Sequence, residues 1–483
     1  MNHNPPGMNL DQTINAWLAP VADWLGKVIF FAVPVGGEAQ LPLILAWLMA
    51  GSIVATIYFR FVNLRGFRHA LSVLRGEFSH RDHAGETSPF QAFSAAVSGT
   101  IGLGNIAGVA FAVAVGGPGA AFWMCVAGFL GMSLKFAEVS LATKYRVIRA
   151  DGTVTGGAMH YVPIALGRVG LPRIGKFLAA FFCVATVGAS LTVFQVNQAY
   201  SQFRAVTGFE HAFVFGLAIA VWIGIILFGG MKRIASWTDK LVPLMCVLYV
   251  VACLVVLGAN VERIPHGLYR ILTEAFSTDA VAGGALGALI QGFRRAAFSN
   301  EAGIGSAPMA HATVRTSEPM SQGFAALIEP FLDTVVMCMI TALVIVISGA
   351  LETSSAKDIA LASAAFGTVV SWFPAVLAAA AILFALSTVI TWGYYGETAW
   401  TWLFGETRNA RYSYRLFLCL MLSLATTLDI TQVVNIADPL NFCMAIPNLI
   451  AVYLFLPELR ADLASYWRRV VLKGASEDER AVT

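Results

Sequence analysis

Two stretches of this sequence decide its fold: GTIGLGNIAG at residues 99–108 and SNEAGIGSAP at residues 299–308. Each stretch lies within an apolar run and centres on two glycines that flank one aliphatic residue. A glycine inside a helix costs about 1 kcal/mol relative to alanine. Two matched glycine clusters therefore predict two membrane helices that unwind at mid-membrane. Close helix packing through small residues is the alternative for either cluster alone.

The composition excludes a soluble enzyme. Of 483 residues, 58% are hydrophobic and 12% are charged, whereas a soluble domain has roughly 25% charged residues. Mean hydropathy is +0.72, and apolar runs of about 20 residues, long enough to cross a bilayer, recur along the chain. The predicted fold class is therefore an all-α polytopic membrane protein. A net charge of +3 is too small for a nucleic-acid-binding protein.

Hydropathy predicts about eleven spans after an amphipathic interfacial helix within residues 10–33. The spans are predicted at 38–62, 89–114, 118–148, 173–200, 211–229, 234–258, 280–313, 322–349, 371–396, 412–429 and 433–456. Apart from the first span, they form two groups of five, each opening with a glycine-interrupted helix. The predicted parts are an external N-terminal segment (1–37), one extra transmembrane helix (38–62), a first repeat (89–258), a second repeat (280–456) and a cytoplasmic tail (457–483).

The basic residues predict the orientation. One set of alternate loops, together with the C-terminus, holds 23 of the 31 Lys and Arg residues, and the other set holds 5. Positive residues accumulate on the cytoplasmic side, so the N-terminus is predicted outside and the C-terminus inside. Because five is odd, the two groups insert with opposite orientation. Paired interrupted helices in an inverted repeat are typical of secondary transporters that bind substrate between the repeats.

The first break exposes backbone groups of two kinds. Amides at the start of the second half-helix present its positive end to an anion such as a carboxylate. They belong to Leu103, Gly104 and Asn105. Carbonyls before the break are oxygen ligands for a small cation such as sodium. They belong to Ser98, Thr100 and Ile101. The Asn105 side chain either meets a ligand or caps the half-helix.

The second break carries further candidates. Phe298, Ser299 and Asn300 precede Glu301, an ionisable residue at membrane depth and hence a functional candidate. The alternative for Glu301 is an ion pair with one of the two arginines of Arg294-Arg295.

Other charged residues in the spans have two possible roles each. Glu329 and Asp333 share a helical face and would serve as cation ligands or a proton site, unless Glu329 is solvated near the inner surface. Lys135 and Glu138 are predicted to neutralise one another. Asp438 is either a helix cap or part of an outer gate. The histidines are scattered, and His311 is predicted near the inner surface in a solvated role.

The ninth span adds hydroxyls and an indole. Ser387, Thr388 and Thr391 would complete a sodium shell with carbonyls of the second span, unless each bonds back to its own helix. Trp392 would wall a small pocket or pack between helices.

Six long motifs of this sequence resemble those of one family, the alanine or glycine:cation symporters, also called sodium:alanine symporters. The motifs are GTIGLGNIAGVAFAVAVGGPGAAFWM (99–124), KFAEVSLATKYR (135–146), FSNEAGIGSAPMAHA (298–312), EPFLDTVV (329–336), TWGYYGE (391–397) and ADPLNFCMAIPNLIA (437–451). The resemblance implies a leucine-transporter-type fold. It also implies sodium-coupled uptake of small neutral amino acids, chiefly alanine and glycine, across a bacterial cytoplasmic membrane.

The resemblance further implies roles for individual residues. Substrate would contact Thr100, Leu103, Gly104, Asn105, Phe298, Ser299, Asn300 and Trp392. Sodium would be bound by Ser98, Ile101, Ser387 and Thr388. The backbone at residues 103–104 would hold the substrate carboxylate, and the indole at 392 would limit substrate size. Proton coupling is the leading alternative. A channel or a membrane enzyme ranks lower, because the polar positions are isolated and no cluster of catalytic groups is evident.

Overall fold

The computed structural model describes residues 10–36, 39–78, 83–150, 152–277, 284–428 and 430–471. Parts of the predicted N-terminal segment (1–9), the start of the second repeat (280–283) and most of the predicted tail (472–483) lie outside the described residues. Most of the described chain is helical. The described helices are Leu10–Ile29, Leu43–Tyr58, Val62–Arg65, Phe67–Leu74, Pro89–Thr100, Leu103–Asn105, Ala107–Gly116, Gly119–Lys144, Ala158–Arg168, Pro172–Ala189, Val193–Thr207, Ala212–Leu227, Gly230–Ala259, Val261–Arg263, Ile264–Glu274, Gly284–Asn300, Pro308–His311, Pro319–Pro330, Phe331–Cys338, Met339–Ser348, Ala350–Thr353, Ile359–Gly367, Phe373–Phe404, Arg408–Ala425, Ile430–Cys443, Ala445–Tyr466 and Trp467–Val471.

Two short antiparallel hairpins interrupt the helices. Ala32–Gly36 pairs with Ala39–Pro42, and Val147–Ile148 pairs with Val154–Thr155. The first hairpin occupies residues predicted to begin the first span. That helix starts at Leu43, because the preceding proline is held in an extended conformation.

Six described helical segments are long and apolar enough to cross a membrane. They are Gly119–Lys144, Pro172–Thr207, Gly230–Ala259, Pro319–Ser348, Phe373–Phe404 and Val433–Val471. A seventh crossing is formed if the bent pair Pro89–Thr100 and Leu103–Gly116 counts as one span. The eleven spans and the inverted repeat stay predictions.

Small residues set the spacing of the central helices. Gly119–Lys144 packs between the helices Gly284–Asn300 and Pro319–Pro330. A Cβ added at Gly292 would lie 2.6 Å from the Ala120 carbonyl oxygen. An alanine there would separate the helices, so glycine permits the close contact.

The helical segment that begins at Pro319 changes its hydrogen-bonding pattern part-way along its length. Pro330 ends its α-helical part, and Phe331–Cys338 forms a π-helical segment before Met339–Ser348 continues. A π-helical segment shifts backbone hydrogen-bond partners and is frequent at functional sites. The Asp333 carbonyl of this segment accepts a hydrogen bond from Asn105 Nδ2 at 2.9 Å.

Candidate functional site

The first break is confirmed as an interruption between two half-helices. Helix Pro89–Thr100 ends, a short 3₁₀ turn follows, and Ala107–Gly116 continues with a bend of 55°. A Cβ on Gly102 would lie 2.6 Å from Thr388 Oγ1 and 3.0 Å from Gln195 Oε1. The close approach of these two polar side chains explains the need for glycine at this position.

The second break is confirmed as well. Helix Gly284–Asn300 ends before Glu301, and Pro308–His311 forms one further helical turn. Gly303 and Gly305 adopt φ of 86° and 89°, which favours glycine. Glu301 itself has φ of 56°, a rare conformation for a residue with a side chain. Such strained residues cluster at functional sites.

A small cavity lies between the two breaks. It is lined by Gly99, Thr100, Gly104, Ala189, Thr192, Val193, Phe194, Gln195, Phe298, Glu301, Thr388, Trp392, Ala437 and Asn441. Four of the eight predicted substrate residues therefore line one cavity: Thr100, Gly104, Phe298 and Trp392. The rings of Phe194 and Phe298 meet edge to face at 5.4 Å and form part of its wall.

Three hydrogen bonds hold polar side chains of the cavity in place. Gln195 Oε1 accepts a hydrogen bond from the Leu103 amide at 2.7 Å, so an amide oxygen occupies the position predicted for a substrate carboxylate. Trp392 Nε1 donates to Glu301 Oε1 at 3.0 Å, and the Ser306 hydroxyl donates to the other carboxylate oxygen. Glu301 thus bridges the broken helix and the tryptophan that walls the cavity.

Three of the four remaining predicted substrate residues, Asn105, Ser299 and Asn300, meet at a second polar cluster. Asp333 is fully buried, and its carboxylate accepts hydrogen bonds from Asn105 Nδ2 at 2.7 Å, Ser299 Oγ at 2.8 Å and Thr334 Oγ1 at 2.7 Å. Asn300 Nδ2 donates to Thr334 Oγ1 at 2.9 Å. These contacts join both breaks to the π-helical segment around one carboxylate.

Asn105 also acts as a cap. Its Oδ1 accepts a hydrogen bond from the Gly102 amide at 2.9 Å, as the capping interpretation expects. Its Nδ2 is directed to Asp333. The side chain therefore holds the first break and links it to the π-helical segment.

Two of the predicted sodium ligands contact each other: Ser98 Oγ donates to the Ser387 carbonyl at 2.7 Å, and the Ser387 hydroxyl lies 3.5 Å from the Ser98 carbonyl oxygen. The Ser387 hydroxyl also donates to the Phe384 carbonyl of its own helix at 3.1 Å, as the alternative interpretation expects. The backbone leaves the helix at Ile101, where ψ is 99°. Thr388 Oγ1 is buried and finds no hydrogen-bond partner among the described residues. The Thr391 hydroxyl, in contrast, donates to the Ala95 carbonyl at 3.1 Å.

The alternative partner for Glu301 is wrong. Arg294 and Arg295 both bind Asp438 instead, Arg294 through Nε at 2.9 Å. Asp438 is fully buried inside helix Ile430–Cys443 and is not its cap. The Arg295 guanidinium also stacks 5.2 Å from the centre of the Phe298 ring, directly over a cavity wall. The outer-gate interpretation of Asp438 stays a prediction.

Two predictions of solvation are also wrong. His311 and Glu329 are both fully buried and contact each other. The predicted Lys135–Glu138 pair is present at 3.8 Å, but Lys135 Nζ also lies 3.5 Å from Glu329 Oε2.

Sequence reasoning missed Gln195 and Asn441. Both are polar side chains within apolar runs, and both line the cavity. The signal available in the sequence was an amide side chain inside an apolar run. Neither residue is next to a glycine cluster, so only the packing of distant helices brings it to the breaks.

Comparison with known proteins gives the family. A model of the sodium:alanine symporter family matches residues 33–480. The chain belongs to this family. The resemblance carried by the sequence motifs is thereby confirmed, and this family member is a membrane transporter and not an enzyme.

Relatives and a solved structure agree with this assignment. The chain is 36% identical over 417 residues to the sodium/alanine symporter AgcS of Methanococcus maripaludis, covering 86% of this chain and 91% of the relative. It is 35% identical over 434 residues to the probable sodium/glutamine symporter GlnT of Bacillus subtilis, covering 88% of each. The crystal structure of MhsT in complex with L-phenylalanine superposes with a TM-score of 0.53 and 16% identity, covering 77% of this chain and 89% of MhsT. That likeness shows a leucine-transporter-type fold.

Proposed function

We propose that this symporter-family chain imports small neutral amino acids, chiefly alanine and glycine, in symport with sodium across the bacterial cytoplasmic membrane. The observation that carries the proposal is the cavity between the breaks, with the buried Thr388 hydroxyl beside it. A buried hydroxyl without a protein partner costs free energy, and a bound cation would repay that cost. The curated relatives named above bear the names of sodium-coupled amino-acid symporters.

The cavity favours a small substrate. Trp392 and Phe298 occupy two of its walls with bulky rings. Alanine or glycine would place its carboxylate at the Leu103 amide once the Gln195 side chain turns away, and its ammonium group at the carboxylate of Glu301. The Ser98, Ile101, Ser387 and Thr388 oxygens would hold sodium on the other side of the first break.

Alternating access would follow from this arrangement. Sodium and substrate would each bind the same broken helix, so either ligand lowers the free energy of the state that favours the other. The N-terminus would lie outside and the C-terminus inside, as the distribution of basic residues predicts. Arg294, Arg295 and Asp438 would then close the outer side of the cavity.

Proton coupling is the second candidate, favoured by one observation. Glu301 and Asp333 are buried carboxyl groups, and neither forms an ion pair within the described ranges. A buried carboxylate without a counter-ion has a high free-energy cost. Binding a cation or a proton lowers that cost.

Uptake into proteoliposomes separates the two candidates. Labelled alanine is offered with an inward sodium gradient, and separately with an inward proton gradient and no sodium. Accumulation that requires sodium supports the proposal. Accumulation driven by protons alone supports the second candidate, and no accumulation with either gradient refutes alanine as substrate.

A further inference from the structure

A buried network of ionisable groups lies next to the second break, on the side of the loop 312–318. His311 Nε2 contacts Glu329 Oε1, and Glu329 Oε2 lies 3.5 Å from Lys135 Nζ. The same ammonium lies 3.8 Å from Glu138 Oε1. On the far side of the imidazole, Gln322 Nε2 lies 2.5 Å from His311 Nδ1. All five side chains are fully buried.

The charges of this network do not balance without an added proton. Two carboxylates share one ammonium, which leaves one negative charge when His311 is neutral. A net charge buried away from water is costly. A second proton on the imidazole would make the network neutral.

The groups that face the network from neighbouring elements do not supply this charge. They are Tyr161 on Ala158–Arg168, Tyr395 on Phe373–Phe404, Glu301 at the second break and Asp333 on the π-helical segment. Each of these four is neutral or negative. The Arg146 guanidinium donates to the backbone carbonyls of Ala312 and Val314 beside His311 and not to a carboxylate of the network, and helix Pro89–Thr100, which also packs here, has no ionisable side chain. A proton is therefore the simplest source of the missing positive charge.

The hydrogen bonds around His311 accommodate the extra proton. In the neutral state Nε2–H donates to Glu329 and Nδ1 accepts from the Gln322 amide. In that arrangement Gln322 Oε1 is buried with no partner among the residues described. Rotation of the amide by half a turn would let Oε1 accept a hydrogen bond from Nδ1–H. The same three residues thus suit both protonation states.

We propose that His311 and Glu329, with Gln322 as the adaptable partner, form a proton-binding site next to the second break. The proton comes from water and binds Nδ1 of His311, while Nε2–H keeps its hydrogen bond to Glu329. Histidine is the side chain whose ordinary charge change falls near physiological pH. No group in the proposed sodium site or the substrate cavity takes part in this binding.

The site is connected to the second break through Lys135. When a protonated His311 balances the charge of Glu329, the Lys135 ammonium can pair with Glu138 alone. Glu138 Oε2 accepts a hydrogen bond from Asn448 Nδ2 at 2.8 Å, and the same Nδ2 lies 2.8 Å from the Gly303 carbonyl oxygen. Protonation would therefore change how firmly Asn448 holds the break. This link to transport rests on the proposed function, whereas proton binding itself does not.

Infrared difference spectroscopy of the purified full chain in lipid nanodiscs tests the proposal. The protein carries ring-labelled histidine, and spectra are compared between about pH 8 and about pH 5, the range in which histidine titrates. The variants are His311→Gln and Glu329→Gln. The matched control is His69→Gln, because His69 is partly buried and forms its hydrogen bond with the Tyr466 hydroxyl at 2.8 Å rather than with a carboxylate.

The wild type and the His69→Gln variant should share one imidazolium signal that both other variants lack. The signal should be lost in Glu329→Gln because a buried imidazolium without its counter-ion is destabilised. If His311→Gln does not fold, Glu329→Gln is sufficient to decide the question. Persistence of the signal in Glu329→Gln, or its absence from the wild type, overturns the proposal. A normal infrared result with no alanine uptake refutes only the proposed function.

Discussion

The substitution Thr388→Val tests whether Thr388 is a sodium ligand or an ordinary helix residue. The substitution removes one hydroxyl and keeps the branched shape of the side chain. Thr388 Oγ1 is buried without a partner in the described chain, so its burial costs about 1–3 kcal/mol in the sodium-free protein. Removing it should leave the sodium-free protein equally stable or more stable. Loss of a ligand should raise the sodium concentration for half-maximal alanine uptake at least about tenfold, which corresponds to about 1.4 kcal/mol.

Thr391→Val is the matched control on the same helix. Its hydroxyl is satisfied by the Ala95 carbonyl, so its removal should destabilise the protein by about 0.5–1.5 kcal/mol. Its sodium dependence should equal that of the wild type. Thermal unfolding in sodium-free detergent and uptake at graded sodium concentrations measure both effects. The reasoning is refuted if Thr388→Val keeps the wild-type sodium dependence or loses as much stability as Thr391→Val.

Three further substitutions test other parts of the site. Asp333→Asn should reduce the initial rate of uptake at saturating sodium at least about tenfold, because three donors are directed at its carboxylate; an unchanged rate at equal expression would contradict this. Gln195→Ala removes the side chain that must leave the Leu103 amide before a substrate carboxylate can bind there, so the KM for alanine should fall by roughly two- to tenfold, whereas an unchanged KM would contradict this competition. Trp392→Ala enlarges the cavity, so leucine should compete with labelled alanine better than in the wild type; equal competition in both proteins would show that the indole does not limit substrate size.

The helix breaks were predictable from the sequence because their cause is local. Gly303 and Gly305 adopt left-handed backbone conformations, and Gly102 lies against two polar side chains. Glycine is the residue that permits both situations, so its clustering in apolar runs is a readable signal. The positions of the breaks, and the residues next to them, were therefore predictable from the glycine clusters.

Partners across the fold were not predictable, because they depend on helix packing. Asp438 lies more than 140 positions from the arginines that it binds. Glu301 is close in sequence to those arginines, yet its contacts are with Ser306 and Trp392. Sequence spacing along one helix favoured the wrong partner, since residues before and after a break do not share a continuous helical face.

Burial of charge was underestimated for the same reason. His311 lies near the end of the predicted span 280–313 and Glu329 near the start of the predicted span 322–349, positions typical of solvated residues. In the structure the helices Gly119–Lys144 and Pro319–Pro330 close around them, so that both are fully buried. Only the tertiary arrangement reveals that their charges must be compensated from within the protein.

The most direct test of the central claim is calorimetric binding of alanine to the purified protein, in sodium and in choline. If sodium and substrate share the first break, alanine should bind more tightly in sodium. By linkage, alanine should increase the affinity for sodium by the same factor. The Thr388→Val variant should lose most of this coupling. Equal alanine affinity in sodium and in choline would contradict the account.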